Sequence, residues 1–169
     1  MADFSRQFRL LADYNGWANH RLLDACSQLD GGEVESARPA FFGSILGTLN
    51  HILVGDQAWL ARLRKDPPPG IALDHTLYSS LPEFAGARKH QDDEITAYVR
   101  GLGETDFTAI VTYKNMSGAA FDNTVSDILT HMFNHQTHHR GQVHDMLSQT
   151  KVLPPELDYI FFMRELPSS

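Results

Sequence analysis

A chain of 169 residues fits a single domain over residues 1–169 and can bury roughly two thirds of its unfolded surface without disulfide or metal staples. Hydrophobic residues make up 42% and charged residues 21%, an ordinary globular balance, and a net charge of −7 with no basic run argues against a nucleic-acid partner. The lone Cys26 excludes an internal disulfide, no apolar run approaches the ~18 residues of a bilayer span, and MADFSRQFRL lacks a signal-peptide pattern, so a cytoplasmic protein with no membrane partner is expected.

The apolar spacing predicts four long helices. The first runs from about Asp3 to Leu29, with Phe4, Phe8, Leu11, Ala18, Leu22, Ala25 and Leu29 stepping mostly by three or four. Asp30-Gly31-Gly32 stops it. The second runs from about Phe41 to Lys65, with Leu46, Leu49, Leu53, Leu60 and Leu63 on one face, and Asp66-Pro67-Pro68-Pro69-Gly70 forbids its continuation. The third spans about Pro82 to Leu102, with Pro in a first-turn position. Alternation around Thr108, Ile110 and Thr112, broken by Asn-Met-Ser-Gly, suggests a small hairpin. The fourth helix spans about Val125 to Gln149, capped by Thr124 with Asp127 three residues on. Pro154-Pro155 opens a short final helical segment reaching about Leu166. The fold class is therefore all-α, a four-helix bundle with a short C-terminal helix and a small hairpin before helix four.

Nine histidines stand beside only 14 Lys and Arg, so their positions were tested. The inward stripe of helix four reads Val125, Ile128, Met132, His135, His139, Gln142 or Val143, and Met146. Two imidazoles thus fall where a bundle wants Leu or Ile, one turn apart on one face. Spacing alone is weak, because roughly half an i,i+4 pair arises by chance at this composition. Two adjacent polar side chains on an apolar stripe need a shared partner. A metal ion supplies one; hydrogen-bonded core histidines or a wet cleft would be the bland alternative. A third ligand must come from another helix, with His20, His51, His75 and His90 as candidates. His51 is mid-helix on a stripe of small residues, Ser44, Thr48, Gly55 and Ala58, which leaves room around an imidazole. It reads equally as a partly exposed histidine on a polar edge. His131, one turn before His135, is a pocket wall, a fourth ligand or a second-shell donor, and Cys26 reads as a small buried hydrophobe.

The stretches LADYNGWANHRLLDAC, LNHILVGDQAWLARL and ILTHMFNHQTHHRGQVHDML resemble the DinB family, over nearly the whole chain. NHQTHHRGQ is the most specific piece, and the family is unrelated to the translesion polymerase that shares its name. The resemblance implies an up-down-down-up bundle, a homodimer, and one divalent metal ion per chain on His51, His135 and His139. It also links the chain to thiol-dependent transferases and isomerases that use low-molecular-weight thiol cosubstrates such as bacillithiol or mycothiol.

Three neutral imidazoles leave coordination positions open, as catalytic sites do and closed structural sites do not. Such an ion can activate water or bind a thiol in its deprotonated form. All-imidazole sites suit Zn first and Ni second. Gln136 stands where the metalloprotease HExxH pattern has its Glu base, which argues against proteolysis of that type. His131 is then the candidate catalytic acid–base, with an ordinary pKa near ~6.5. The expectation is a metal-dependent transferase or hydrolase; the alternative is a non-catalytic, stress-related metal-binding module.

Overall fold

The computed structural model describes residues 4–67, 69–72, 75–115 and 117–167. Four long helices carry the chain: α1 (Phe4–Cys26), α2 (Ile45–Arg64), α3 (Leu81–Gly101) and α4 (Val125–Ser148). An antiparallel hairpin, β1 (Ile110–Lys114) and β2 (Ala120–Thr124), pairs Ile110 with Thr124 and leads straight into α4. A short α5 (Tyr159–Glu165) follows.

The helix ends show local chemistry overriding the apolar pattern. Thr124 accepts the Asp127 N–H at 3.1 Å and Asp127 accepts the Thr124 N–H at 3.2 Å, a reciprocal cap worth about 1 kcal/mol. α2 begins at Ile45, not near Phe41, because Ser44 is extended and its hydroxyl accepts the Gly47 N–H at 2.9 Å. α1 ends at Cys26, short of Leu29: Gln28 and Leu29 donate to carbonyls three residues back, a tightening that closes the helix. α5 starts only at Tyr159, after an extended Asp158 with ψ 135°. Phe4, expected to face in, is 53% exposed, and Ser5 takes the buried position at that turn.

Named contacts fix the helix directions. Asp13 meets Arg100 and Asn19 meets Asp92, so α1 and α3 are antiparallel. His51 meets His139 while Trp59 meets His131, so α2 and α4 are antiparallel too. Asp56 with Arg88 and Arg64 with Glu94 make α2 and α3 parallel, and Phe8 with Phe133 and Asn15 with Arg140 do the same for α1 and α4. The order is up-down-down-up. Parallel neighbours need a long return, and residues 65–80 supply it beside a helix about 30 Å long. Asn50 on α2 clamps the end of that return: its carboxamide donates to the Tyr78 carbonyl at 3.0 Å and accepts from the Leu77 and Tyr78 N–H groups at 2.9 and 3.0 Å.

The interior has three layers along the bundle axis. One apolar cluster is built around Phe8, Ile95, Phe107, Ile128 and Met132. A second is built around Leu22, Leu46, Leu53, Phe84 and Leu147. Between them lies a buried polar layer of Asn15, Asn19, Asp56, Arg88, Gln136 and Arg140. No helix among the described residues is long and apolar enough to cross a membrane.

Candidate metal centre

Level with the polar layer, on the edge where α2 faces α4, three imidazoles converge. Their ligand-capable nitrogens in His51, His135 and His139 all lie within 4.8 Å of one another. His51 Nε2 and His135 Nε2 are 3.1 Å apart. The ring centroids of His51–His139 and His135–His139 are separated by 4.5 and 4.3 Å. His51 and His139 are each 8% exposed, and His135 is half-buried.

Each ring is placed by something specific. His139 Nδ1 lies 2.8 Å from Gln142 Oε1, an oxygen that can only accept, so Nδ1 carries the proton and Nε2 keeps its lone pair. The Gln142 amide nitrogen faces His138 Nε2 at 3.3 Å, consistent with that orientation. Phe42 stacks on His51 with centroids 3.9 Å apart and planes 18° from parallel. It is held there by a tight loop in which Arg38 N–H donates to the Gly43 carbonyl at 2.7 Å and Gly43 adopts φ +74°. Gly55 gives His135 its room. A Cβ on that residue would stand 3.0 Å from His135 Cε1.

Two of the three imidazoles are held toward the neutral form. Burial, followed by the neighbouring His139 and His51, pushes the His135 pKa down to about 3. Burial also lowers His139, outweighing the Gln142 hydrogen bond that opposes it. Ring nitrogens of three imidazoles, two of them held toward the neutral form, thus share one small space, which suits a cation. About 2.0–2.1 Å from an ion to each imidazole nitrogen would place two such nitrogens about 2.9 Å apart at a right angle and about 3.4 Å apart at a tetrahedral angle. The 3.1 Å His51–His135 separation falls inside that window.

His131 lies outside this trio. Its ring is 5.8 Å from that of His135 and packs edge-on against Trp59 at 4.8 Å. Burial, then the Arg62 charge, lowers its pKa. The other histidines are elsewhere: His75 and His90 are exposed, His20 faces Asp24 at 3.4 Å, and His144 is half-buried with Nε2 3.1 Å from the Pro155 carbonyl. Cys26 is 1% exposed, and burial pushes its thiol up to about 12, the inert small hydrophobe expected.

Behind the imidazoles the polar layer is a closed network. Asp56 accepts from Arg88 at 2.6 Å and from the Gln136 amide. Arg88 also reaches Asp92 at 2.8 Å. Arg140 donates to Asn15 at 2.5 Å, Asn19 at 3.2 Å and Gln136 at 3.0 Å. Asn15 thus serves the network, and Asp56 pairs with Arg88 and Gln136 in preference to Arg140. Burial pushes the Asp56 carboxyl up to about 6 while Arg88 pulls it down. Sequence reasoning missed Phe42 altogether and did not see that Gln136 joins Asp56 to Arg140. The i,i+4 spacing of Gln136 and Arg140, shifted by one from the two histidines, is the signal that could have revealed the second stripe.

Two comparisons bear on this geometry. The chain is similar to Protein DinB of Bacillus subtilis (strain 168), 26% identical over 171 aligned positions covering 96% of this chain and 95% of that protein. The model of the DinB family matches residues 1–166. With its bundle, its three-histidine cluster and a family match across nearly its full length, the chain belongs to the DinB family.

Proposed function

We propose that His51, His135 and His139 hold one divalent ion, zinc or nickel, and that the protein is a metal-dependent enzyme acting through a thiol or water nucleophile. The observation that carries this reading is the convergence of three imidazoles, from two helices, with nitrogens within 4.8 Å of one another. When bound, an ion on three imidazoles supplies Lewis acidity that lowers the pKa of a thiol or water.

The chain's own residues divide the remaining work. Gln142 fixes the tautomer of His139 and Phe42 shields His51 from solvent. His131 takes up the proton lost by the nucleophile. It is neutral at pH 7 because burial and Arg62 lower its pKa, and it stands beside His135 on the exposed side of the cluster. Gln136 cannot act as a base: its amide is committed to Asp56 and Arg140 and it is 1% exposed. That favours thiol transfer or a small-molecule hydrolysis over proteolysis.

Elemental analysis of the purified protein tests the ligand set. One zinc or nickel per chain is expected, falling to background in His51→Ala, His135→Ala and His139→Ala. Wild-type metal content in any of the three would remove that residue from the site. A panel of thiols and electrophiles then tests catalysis, with turnover expected to fall in His131→Gln at unchanged metal content. Turnover by the metal-loaded protein no faster than the protein-free background would leave a metal-binding module without catalysis.

A further inference from the structure

A row of aromatic and cationic side chains leads away from the imidazoles toward the hairpin. His131 packs on Trp59; the Arg62 guanidinium lies over the Trp59 ring at 4.3 Å and over Tyr113 at 5.1 Å. The cleft there, about 560 Å³, is lined by Arg62, Lys65 and Lys114, with Tyr113, Thr112 and the single acid Asp66. Among the described residues no carboxylate lies within ion-pair distance of Arg62, Lys65 or Lys114. Arg64, two residues from Arg62, shows the contrast by pairing with Glu94 at 2.6 Å. Three cations against one acid is a marked local excess on a chain of net charge −7.

Two features go beyond ordinary helix-end chemistry. A helix C-terminus attracts cations, which accounts for a basic residue in the last turn of α2. It does not account for Lys114, which the hairpin contributes from a different element. Lys65 sits at that terminus too, but it caps α2 at φ +60° and is the one non-glycine residue with positive φ among the described residues. Glycine suits that conformation better, yet a lysine occupies it and lines the cleft.

We propose that this cleft is the recognition end of the catalytic site and binds the oxyanion, carboxylate or phosphate, of an elongated small substrate or cosubstrate. The assignment rests on the metal-site reading above. Arg62 offers its planar fork to the anion, with its position held by the two aromatic rings, and the two lysines add point charges. On α2, Arg62 follows Gly55, which lies against His135, by seven residues and His51 by eleven, so the two ends of the site are set about 10 to 17 Å apart along the helix axis at 1.5 Å per residue. The ligand class is thus an anion whose reactive atom lies about that far from its charged end.

The test is NMR titration of the full-length protein with glutarate in one arm and inorganic phosphate in the other. The Trp59 indole N–H and the Arg62 Nε–H should shift saturably in at least one arm, which identifies the anion, while the Trp17 indole stays still. Arg62→Gln should weaken binding about tenfold or more, with Arg62→Lys in between. Metal content should be unchanged in Arg62→Gln, and the anion shifts should persist in His135→Ala, so the cleft and the metal site can fail separately. No saturable shift in either arm would overturn the assignment. So would equal affinity in wild type and Arg62→Gln, the result expected if Arg62 only packs the hairpin onto α2.

Discussion

The three imidazoles and the buried polar layer sit side by side on the same helices and are built on opposite principles. On α4, His135 and His139 form one i,i+4 pair and Gln136 and Arg140 form the next, one residue around the helix. On α2, Gly55 lies against His135 and Asp56 points to Arg88. In the polar layer the charges find partners within the protein, Asp56 and Asp92 against Arg88, and Asn15, Asn19 and Gln136 around Arg140, with the Arg88 Nε–H left over. In the cluster three imidazoles turn ring nitrogens toward one another, and Gln142 holds the Nδ1–H of His139. The first arrangement specifies how four helices register; the second leaves affinity unspent for a ligand. A polar group inside a bundle is therefore informative only once its partners are counted.

The sharpest way to break this contrast is to remove one member from each region. Asp56→Ala leaves the buried Arg88 with Asp92 as its remaining carboxylate partner and takes the acceptor from the Gln136 amide, and we expect a loss of about 3 kcal/mol in denaturant unfolding. His135→Ala leaves no unpaired charge, and the metal-free protein should change by no more than about 1 kcal/mol. If the two variants destabilise the metal-free protein equally, the cluster is structural and the distinction falls.

Gln142→Leu probes the hydrogen bond that fixes His139. Losing such a support typically costs about 10–100-fold in metal affinity, and competition with a chromogenic chelator would measure it. Unchanged affinity would mean that Gln142 does not set the tautomer.

Gly55→Ala should move stability and affinity in opposite directions. Alanine is the better helix former by up to about 1 kcal/mol, so the metal-free melting temperature should rise. The added methyl would stand 3.0 Å from His135 Cε1, so the ring must give by a few tenths of an ångström and metal affinity should drop several-fold. A rise in both would show that His135 needs no such clearance.

A further expected effect is a pH slope. His135 has a folded pKa of about 3 against an ordinary 6.5, so between those values the unfolded chain binds the extra proton. Its contribution to stability is intact above about pH 6.5 and is lost as pH falls toward 3. Asp56, raised to about 6, acts with the opposite sign. Subtracting the His135→Ala curve from the wild-type curve isolates the histidine, and the difference should decline on acidification of metal-free protein.

These contrasts also explain what could be read from the residues alone. His135 and His139 were visible because a 3.6-residue period assigns them to an apolar stripe, and Thr124 with Asp127 announced the start of α4. His51 was ambiguous, since small neighbours mark room but do not say for what. The DinB resemblance named it as a ligand. Phe42 was invisible because its ring is aimed by a loop closed through Gly43, and no periodicity governs a loop. The link that Gln136 makes between Asp56 and Arg140 was invisible for another reason. Polar residues one step off a stripe look solvated until a third helix, here α1 with Asn15 and Asn19, is known to face them. Phe4 failed the same test in reverse, being apolar, in register and exposed.

Anomalous diffraction at the zinc and nickel edges, on crystals of protein purified without chelator, tests the central claim most directly. One peak per chain is predicted, bonded to nitrogens of His51, His135 and His139 at about 2.0–2.1 Å, with at least one further position taken by a non-protein ligand. A metal-replete crystal with its peak elsewhere, or with the ion closed by a fourth protein side chain, would contradict the open three-histidine site.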